Sequence, residues 1–267
     1  MVWNIILIIG VVVCLILQYL VIRKVLRSAE CERRACDNRS NLLAMLAHDI
    51  KTPLNCIMGN ADLALVRTKD EGQAELLKRV KNAGNELLLL VNEVLSFDEI
   101  ESGRFKIYEN KVNIGELIDD INNAIVFLAE DKKLRFHIGF DDMEHMDFIT
   151  DKGKMQRICI NLLSNAVKYT DAGGEVMLNF REERDEKGTF WLCISVKDTG
   201  IGMSKEDKAK MYELYQCKES SFGKNHGVGL YIVKNMVEIL SGTIDCESAC
   251  GVGTGFYVRI PVNVTCK

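Results

Sequence analysis

The 267-residue chain is long enough for one or two domains with a sizeable core. Its charged and apolar shares, 27% and 48%, exclude a disordered or fibrous protein. A formal net charge of -4 argues against nucleic acid as a partner. The ten cysteines include no CxxC pair, and most sit inside apolar segments, such as Cys159 in RICINLL and Cys193 in FWLCISV. That scatter points to reduced, core-packed thiols rather than a disulfide scaffold or a zinc site. Only Cys31/Cys36 and Cys246/Cys250 are spaced for a redox or metal role.

Residues 1–22 carry no charged side chain, and Ile5–Leu17 is almost wholly apolar. At about 1.5 Å per residue such a helix crosses a hydrocarbon core of about 30 Å. A signal peptide would need a basic start and a small-residue cleavage site, and neither is present. Arg23, Lys24, Arg27, Arg33 and Arg34 follow at once, so the positive-inside rule sends the rest of the chain to the cytoplasm. The expectation is a single-pass anchor in the cell membrane, touching lipid through residues 1–22. A juxtamembrane helical linker over 23–40 follows, too short for a sensor domain.

Residues 42–66 place Leu43, Leu46, Ile50, Leu54, Ile57, Ala61 and Leu65 at three/four spacing, which predicts one buried helical stripe. RTKDEG (67–72) reads as a turn ending in glycine. Leu77, Val80, Gly84, Leu87, Val91 and Val94 then alternate threes and fours, the spacing of a coiled-coil seam. The prediction is an all-α helical hairpin over 41–102. One hairpin has too little core to be stable alone, so a homodimer closing a four-helix bundle is expected.

After Ser102-Gly103 the pattern mixes strands and helices. Strands are predicted at Arg135–Phe140, Glu175–Phe180, Phe190–Val196, Thr243–Cys246 and Phe256–Ile260. Helices are predicted at Ile114–Lys132, Lys154–Tyr169 and Val228–Leu240. Without strict βαβ alternation, residues 103–267 read as an α+β two-layer sandwich.

Four strings carry chemistry. In LAHDIKTPLN (46–55), His48 lies two positions from both Leu46 and Ile50, hence away from the stripe and toward solvent. Asp49 can orient or deprotonate its ring, Thr52 lies one turn on, and Pro53 cannot donate to the Asp49 carbonyl, so the helix is expected to bend there. In NLLSNAVKYT (161–170), Asn161, Asn165 and Lys168 share one helix face beside the apolar Ile158, Leu162 and Ala166. Two carboxamides and an ammonium suit a nucleotide and Mg²⁺, with Asn161 and Asn165 as the metal ligands. DTGIG (198–202) ends a strand. Asp198 can accept from an adenine amino group, while Gly200 and Gly202 let backbone approach a flat ring. HGVGL (226–230) opens a helix, where Gly227, Gly229 and Leu230 expose N–H groups to phosphates. No GxxxxGK[ST] string occurs, so the site is not a P-loop.

Taken together, residues 40–262 resemble the sensor histidine kinases of two-component systems. LAHDIKTPLN is similar to their H-box, H-(E/D)-x-x-(T/N)-P; NLLSNAVKYT, with Asp151 upstream and Tyr169, is similar to the N-box. DTGIG resembles the first glycine box, and GTGF (253–256), with Thr254, the last. The family's GxGLGL is altered, since Asn225 and His226 take its first two places, and MYELY puts Tyr212 and Tyr215 where phenylalanines are usual. The resemblance implies a Bergerat-type (GHKL-like) ATP fold. It implies phosphate transfer from ATP to His48 and then to an aspartate of a response regulator receiver domain. It also implies Thr52 positioning water for dephosphorylation of that regulator. The alternative reading, prompted by the altered box, is a nucleotide-binding scaffold that regulates a partner without catalysis.

Overall fold

The structure, a computed structural model, describes residues 38–103, 106–213 and 228–264. The expected anchor over 1–22 and most of the linker lie outside the described residues. So do Cys31, Cys36, Tyr215, Asn225, His226 and Gly227. Among the described residues no helix is long and apolar enough to cross a membrane. The chain forms two compact units, passing from one to the other at Ser102–Gly103.

The first unit is a hairpin of α1 (residues 38–67) and α2 (Glu71–Glu101). The turn is shorter than RTKDEG suggests. The Asp70 carboxylate accepts the Gln73 N–H at 2.9 Å and starts α2 ahead of Gly72. Antiparallel pairing follows from the cross-links: Arg39 to Asp98 near the open end, and Lys81 to Asp62 at 2.7 Å near the turn. Between them the Met58 side chain fills the space over Gly84.

The apolar stripe is not simply buried. In α1 the residues that bury within the hairpin are Ser40, Ala47, Leu54 and Ala61, one per heptad and mostly small. Leu46, Ile50 and Ile57 of α1 remain exposed, as do Val80, Leu87 and Val94 of α2. Two helices can cover only the edge of a stripe this wide; the rest needs partners that one hairpin does not supply.

The second unit is a mixed sheet with helices on one face. Its strands are β1 (Asn110–Asn113), β2 (Arg135–Asp141), β3 (Asp147–Thr150), β4 (Glu175–Arg184), β5 (Phe190–Asp198), β6 (Thr243–Ala249) and β7 (Gly253–Val264). The order is β1-β3-β7-β5-β4-β2, with β6 also pairing β7. Only β2 and β4 run parallel; the other pairs are antiparallel. The helices are α3 (Ile114–Asp131), α4 (Lys152–Tyr169), the short α5 (Lys205–Lys210) and α6 (Gly229–Ile239).

Alternation in the strands builds the core. Leu178, Val196 and Phe256 are in register across β4, β5 and β7, and so are Phe180, Ile194 and Val258. All six are buried, beneath Met155, Ile158 and Leu162 of α4 and Ile232 and Met236 of α6. Ile121 and Ile125 of α3 complete the layer. The strands run past their apolar stretches because pairing does not require apolar side chains. At the β4–β5 turn Asp185 accepts the N–H groups of Lys187 and Thr189 (2.9 Å each) and Trp191 Nε1–H, closing a hairpin whose arms are polar.

A buried ion pair, Asp151–Lys154, ties the start of α4 into the unit. Asp151 caps its N-terminus, accepting the Lys154 N–H at 3.0 Å, the Lys154 ammonium at 2.7 Å and the Tyr108 N–H at 2.8 Å. The Lys154 ammonium also bonds the Lys106 carbonyl and lies 5.9 Å from the Tyr108 ring centre. Burial pushes the Asp151 carboxyl up, but the Lys154 ammonium and the two N–H donors outweigh it and hold it below the usual carboxylate range. A depressed folded pKa stabilises the fold above the unfolded value and loses that effect as pH falls through the folded one. Asp151→Asn is therefore expected to cost on the order of 2 kcal/mol at pH 7. In urea unfolding that deficit holds down to about pH 4 and shrinks below it. A deficit that does not change with pH would contradict this account.

Candidate functional site

The C-terminal ends of α4 and β5 and the turn before β7 converge in the second unit. Asp198, the last residue of β5, accepts the N–H of Gly200 at 2.8 Å and of Thr254 at 3.2 Å through Oδ1. Its Oδ2 takes no partner among the described residues. Burial pushes the Asp198 carboxyl above its ordinary value, against the pull of the Gly200 and Thr254 N–H groups. A carboxylate held this way is costly to leave alone and has one oxygen ready to accept from a donor.

The loop after Asp198 is fixed on both sides. Ile201 donates its N–H to the Tyr169 carbonyl at 3.1 Å and accepts from Gly251 at 2.7 Å, and Thr199 donates to the Glu175 carbonyl at 3.1 Å. Gly200 is required because a Cβ there would overlap the Tyr169 carbonyl oxygen. Gly202 is required twice over: φ is +65°, and a Cβ would strike the Ala249 carbonyl. Ser248 closes the arrangement. Its hydroxyl accepts the Met203 N–H at 2.8 Å, donates to the Gly253 carbonyl at 3.0 Å and meets Thr254 Oγ1 at 3.0 Å. No motif singles out Ser248; its place is fixed by the β6–β7 register, Ser248 opposite Thr254.

On α4, Asn161, Asn165, Lys168 and Tyr169 are half-buried, beside the fully buried Ile158 and Leu162. Asn161 donates Nδ2–H to the Arg157 carbonyl at 3.0 Å, and its Oδ1 takes no partner among the described residues. An oxygen presented so fits a Mg²⁺ ligand, and Asn165 stands one turn on along the same face. The Lys168 ammonium lies 5.8 Å from the Tyr169 ring centre. Gly229 and Leu230 open α6, and its cap residue Val228 makes no side-chain capping bond. Gly227 lies outside the described residues. Tyr212 packs under the Lys234 ammonium at 5.5 Å from its ring centre, with its hydroxyl buried and without a hydrogen-bond partner among the described residues.

In the first unit His48 is open to solvent, its side chain 81% exposed, and its Nδ1 lies 3.4 Å from Asp49 Oδ1. Thr52 turns its hydroxyl back to the His48 carbonyl at 3.1 Å. Helix α1 continues through Pro53.

Two other clusters have plainer roles. Glu144, His145 and Glu182 bring possible ligand atoms within 4.8 Å of one another. The buried Glu182 carboxylate is already engaged by the N–H groups of Glu144 and His145 and by His145 Nδ1 at 2.8 Å, so the trio clasps the loop before β3. Cys246 and Cys250 are both free thiols, the first buried and the second exposed, and burial pushes the Cys246 thiol up to about 11.

Comparison with known proteins agrees with this geometry. Residues 38–103 match the His Kinase A (phospho-acceptor) domain, and residues 150–264 match the Histidine kinase-, DNA gyrase B-, and HSP90-like ATPase family. The autoinducer 2 sensor kinase/phosphatase LuxQ of Vibrio vulnificus (strain CMCP6) is 35% identical over 240 residues, which is 87% of this chain and 27% of LuxQ. The sensor histidine kinase RcsC of Escherichia coli (strain K12) is 29% identical over 237 residues, 88% of this chain and 24% of RcsC. The chain thus spans about a quarter of the length of these curated relatives. Among solved structures, full-length ShkA in complex with AMPPNP superposes with a TM-score of 0.61 at 25% identity, covering 85% of this chain and 47% of ShkA. The Acinetobacter baumannii histidine kinase AdeS shares the fold, with a TM-score of 0.51 at 18% identity, over 80% of this chain and 97% of that one. With a phospho-acceptor hairpin followed by a histidine-kinase-like ATPase unit in one chain, this protein belongs to the sensor histidine kinases.

Proposed function

We propose that the protein is a membrane-anchored histidine kinase that phosphorylates its own His48 from ATP and passes the phosphoryl group to an aspartate of a separate response regulator. The observation that carries the reading is the Asp198 carboxylate. It is half-buried, fixed by two N–H groups and open at one oxygen, beside a half-buried face bearing Asn161, Asn165 and Lys168. The binding of AMPPNP by ShkA supports the same assignment.

In this reading Asp198 accepts from the adenine amino group, and Gly200, Gly202 and Thr254 hold it in place. Lys168, Tyr169 and the N–H groups at Gly227, Gly229 and Leu230 bind the phosphates. The amide oxygens of Asn161 and Asn165 hold Mg²⁺, which would neutralise phosphate charge. Asp49 accepts from His48 Nδ1–H, which leaves Nε2 with the lone pair for in-line attack. A bond forms between Nε2 and the γ-phosphorus as the β–γ bridging bond breaks, and ADP leaves with the bridging oxygen. Positioning and charge neutralisation supply most of the rate. Thr52 would position water when the phosphorylated regulator is hydrolysed.

The proposed organisation is an anchor over 1–22 in membrane lipid, a linker over 23–40, a dimerisation and phosphotransfer domain over 41–102 and an ATP-binding domain over 103–267. The exposed Leu46, Ile50, Ile57, Val80, Leu87 and Val94 support a homodimer closing a four-helix bundle.

Two measurements test these assignments. ATP labelled at the γ-position should give an acid-labile, alkali-stable phosphoprotein, and His48→Gln should abolish it; label surviving that substitution would remove His48 from the role. ATP binding without labelling would favour the scaffold reading. Sedimentation of the detergent-solubilised chain should give a dimer, and Leu87→Asp should weaken association by at least about a hundredfold, since an interfacial charge is left unpaired. An unchanged dimer would place the interface elsewhere.

A further inference from the structure

Helix α4 carries the proposed metal and phosphate ligands, and its C-terminus is finished in an unusual way. A helix leaves its last four carbonyls without intrahelical partners, and a glycine in left-handed conformation commonly satisfies them. Here the cap is Thr170, in extended conformation at φ -98° and ψ 131°. The carbonyls are instead satisfied one by one. Ala166 O accepts the Thr170 hydroxyl at 2.6 Å, and Tyr169 O accepts the Ile201 N–H at 3.1 Å. Val167 O, Lys168 O and Thr170 O all accept the ammonium of Lys132, at 2.9, 2.6 and 3.1 Å.

Lys132 comes from the end of α3, far away in sequence. Its three N–H donors are all used, and its charge sits at the negative end of the α4 dipole. The backbone beside it holds the same loop: Lys133 O accepts the Gly173 N–H at 3.1 Å, and Gly174 O accepts the Arg135 N–H at 2.9 Å. What Lys132 fixes is the turn that the DTGIG loop rests on. Tyr169 O bonds Ile201 and lies against Gly200, and Gly200 N–H in turn holds Asp198.

We propose that Lys132 is a positioning residue for nucleotide binding, its ammonium locking the last turn of α4 so that Lys168 and the Asp198–Gly202 loop are held ready for the ligand. The inference rests on the nucleotide reading above. Without the ammonium three carbonyls lose their donor, the turn frays toward water, and the adenine-side loop loses its footing.

The test is ATP affinity by titration calorimetry on the full chain, with the KM for ATP and kcat of autophosphorylation alongside. Lys132→Met, which keeps the stem and removes the donors, should weaken ATP binding about tenfold and raise KM to match, with kcat at saturating ATP changing less than about threefold. Lys132→Arg, which keeps charge and donors, should recover most of the affinity. A folded Lys132→Met with wild-type affinity for ATP would overturn the proposal. Should Lys132→Met fail to fold, Thr170→Val loosens the same turn by one bond. A weakening of about threefold there supports the proposal, and wild-type affinity overturns it. Wild-type protein that does not bind ATP would instead refute the nucleotide reading.

Discussion

The ATP-binding unit is organised around a charge that is expensive to bury. Asp198 ends the central strand β5 with its carboxyl partly withdrawn from water, and that burial raises its pKa. Two backbone N–H groups, from Gly200 and Thr254, offset part of that cost. To deliver them the chain needs a tight loop after β5 and a tight turn into β7, so the glycines, Ser248 and the end of α4 are constrained together. In the proposed role, the remaining cost is relieved by the ligand. Such a site is pre-organised because backbone hydrogen bonds fix the carboxylate and its loop.

The two units reach stability differently. The sheet and its three packed helices close a dry core, with Phe180, Leu178, Ile194 and Val258 fully enclosed. The hairpin does not, and its exposed Leu46, Ile50 and Ile57 show how much surface two helices leave open. In the proposed organisation the ATPase-like unit is complete in one chain and the hairpin is completed by association.

Much of this was legible in the sequence because period reports burial. Three-four spacing marked the paired helices, and alternation marked the strands whose inward residues are now buried. The short strands β1 and β3 were not legible: four residues such as NKVN or DFIT hold too few periods to signal anything. The single stripe expected of α1 was too simple, because period shows which face is apolar but not which part of it a neighbour covers. At the site, the residues proposed to face the ligand stood in recognisable strings. Their supports did not. Lys132 and Ser248 act through backbone atoms of segments remote in sequence, and a lysine after a helix or a serine in a strand is unremarkable until the register is known.

The central claim is that Asp198 reads the base of the nucleotide. The most direct measurement is the affinity of the wild-type chain for ATP against the triphosphate of hypoxanthine, which carries an oxygen where adenine carries its amino group. The account predicts discrimination of at least about a hundredfold, because that oxygen meets a carboxylate instead of donating to it. Asp198→Asn, whose amide can donate as well as accept, should narrow the gap. Equal affinity of the wild-type chain for the two nucleotides would contradict the account.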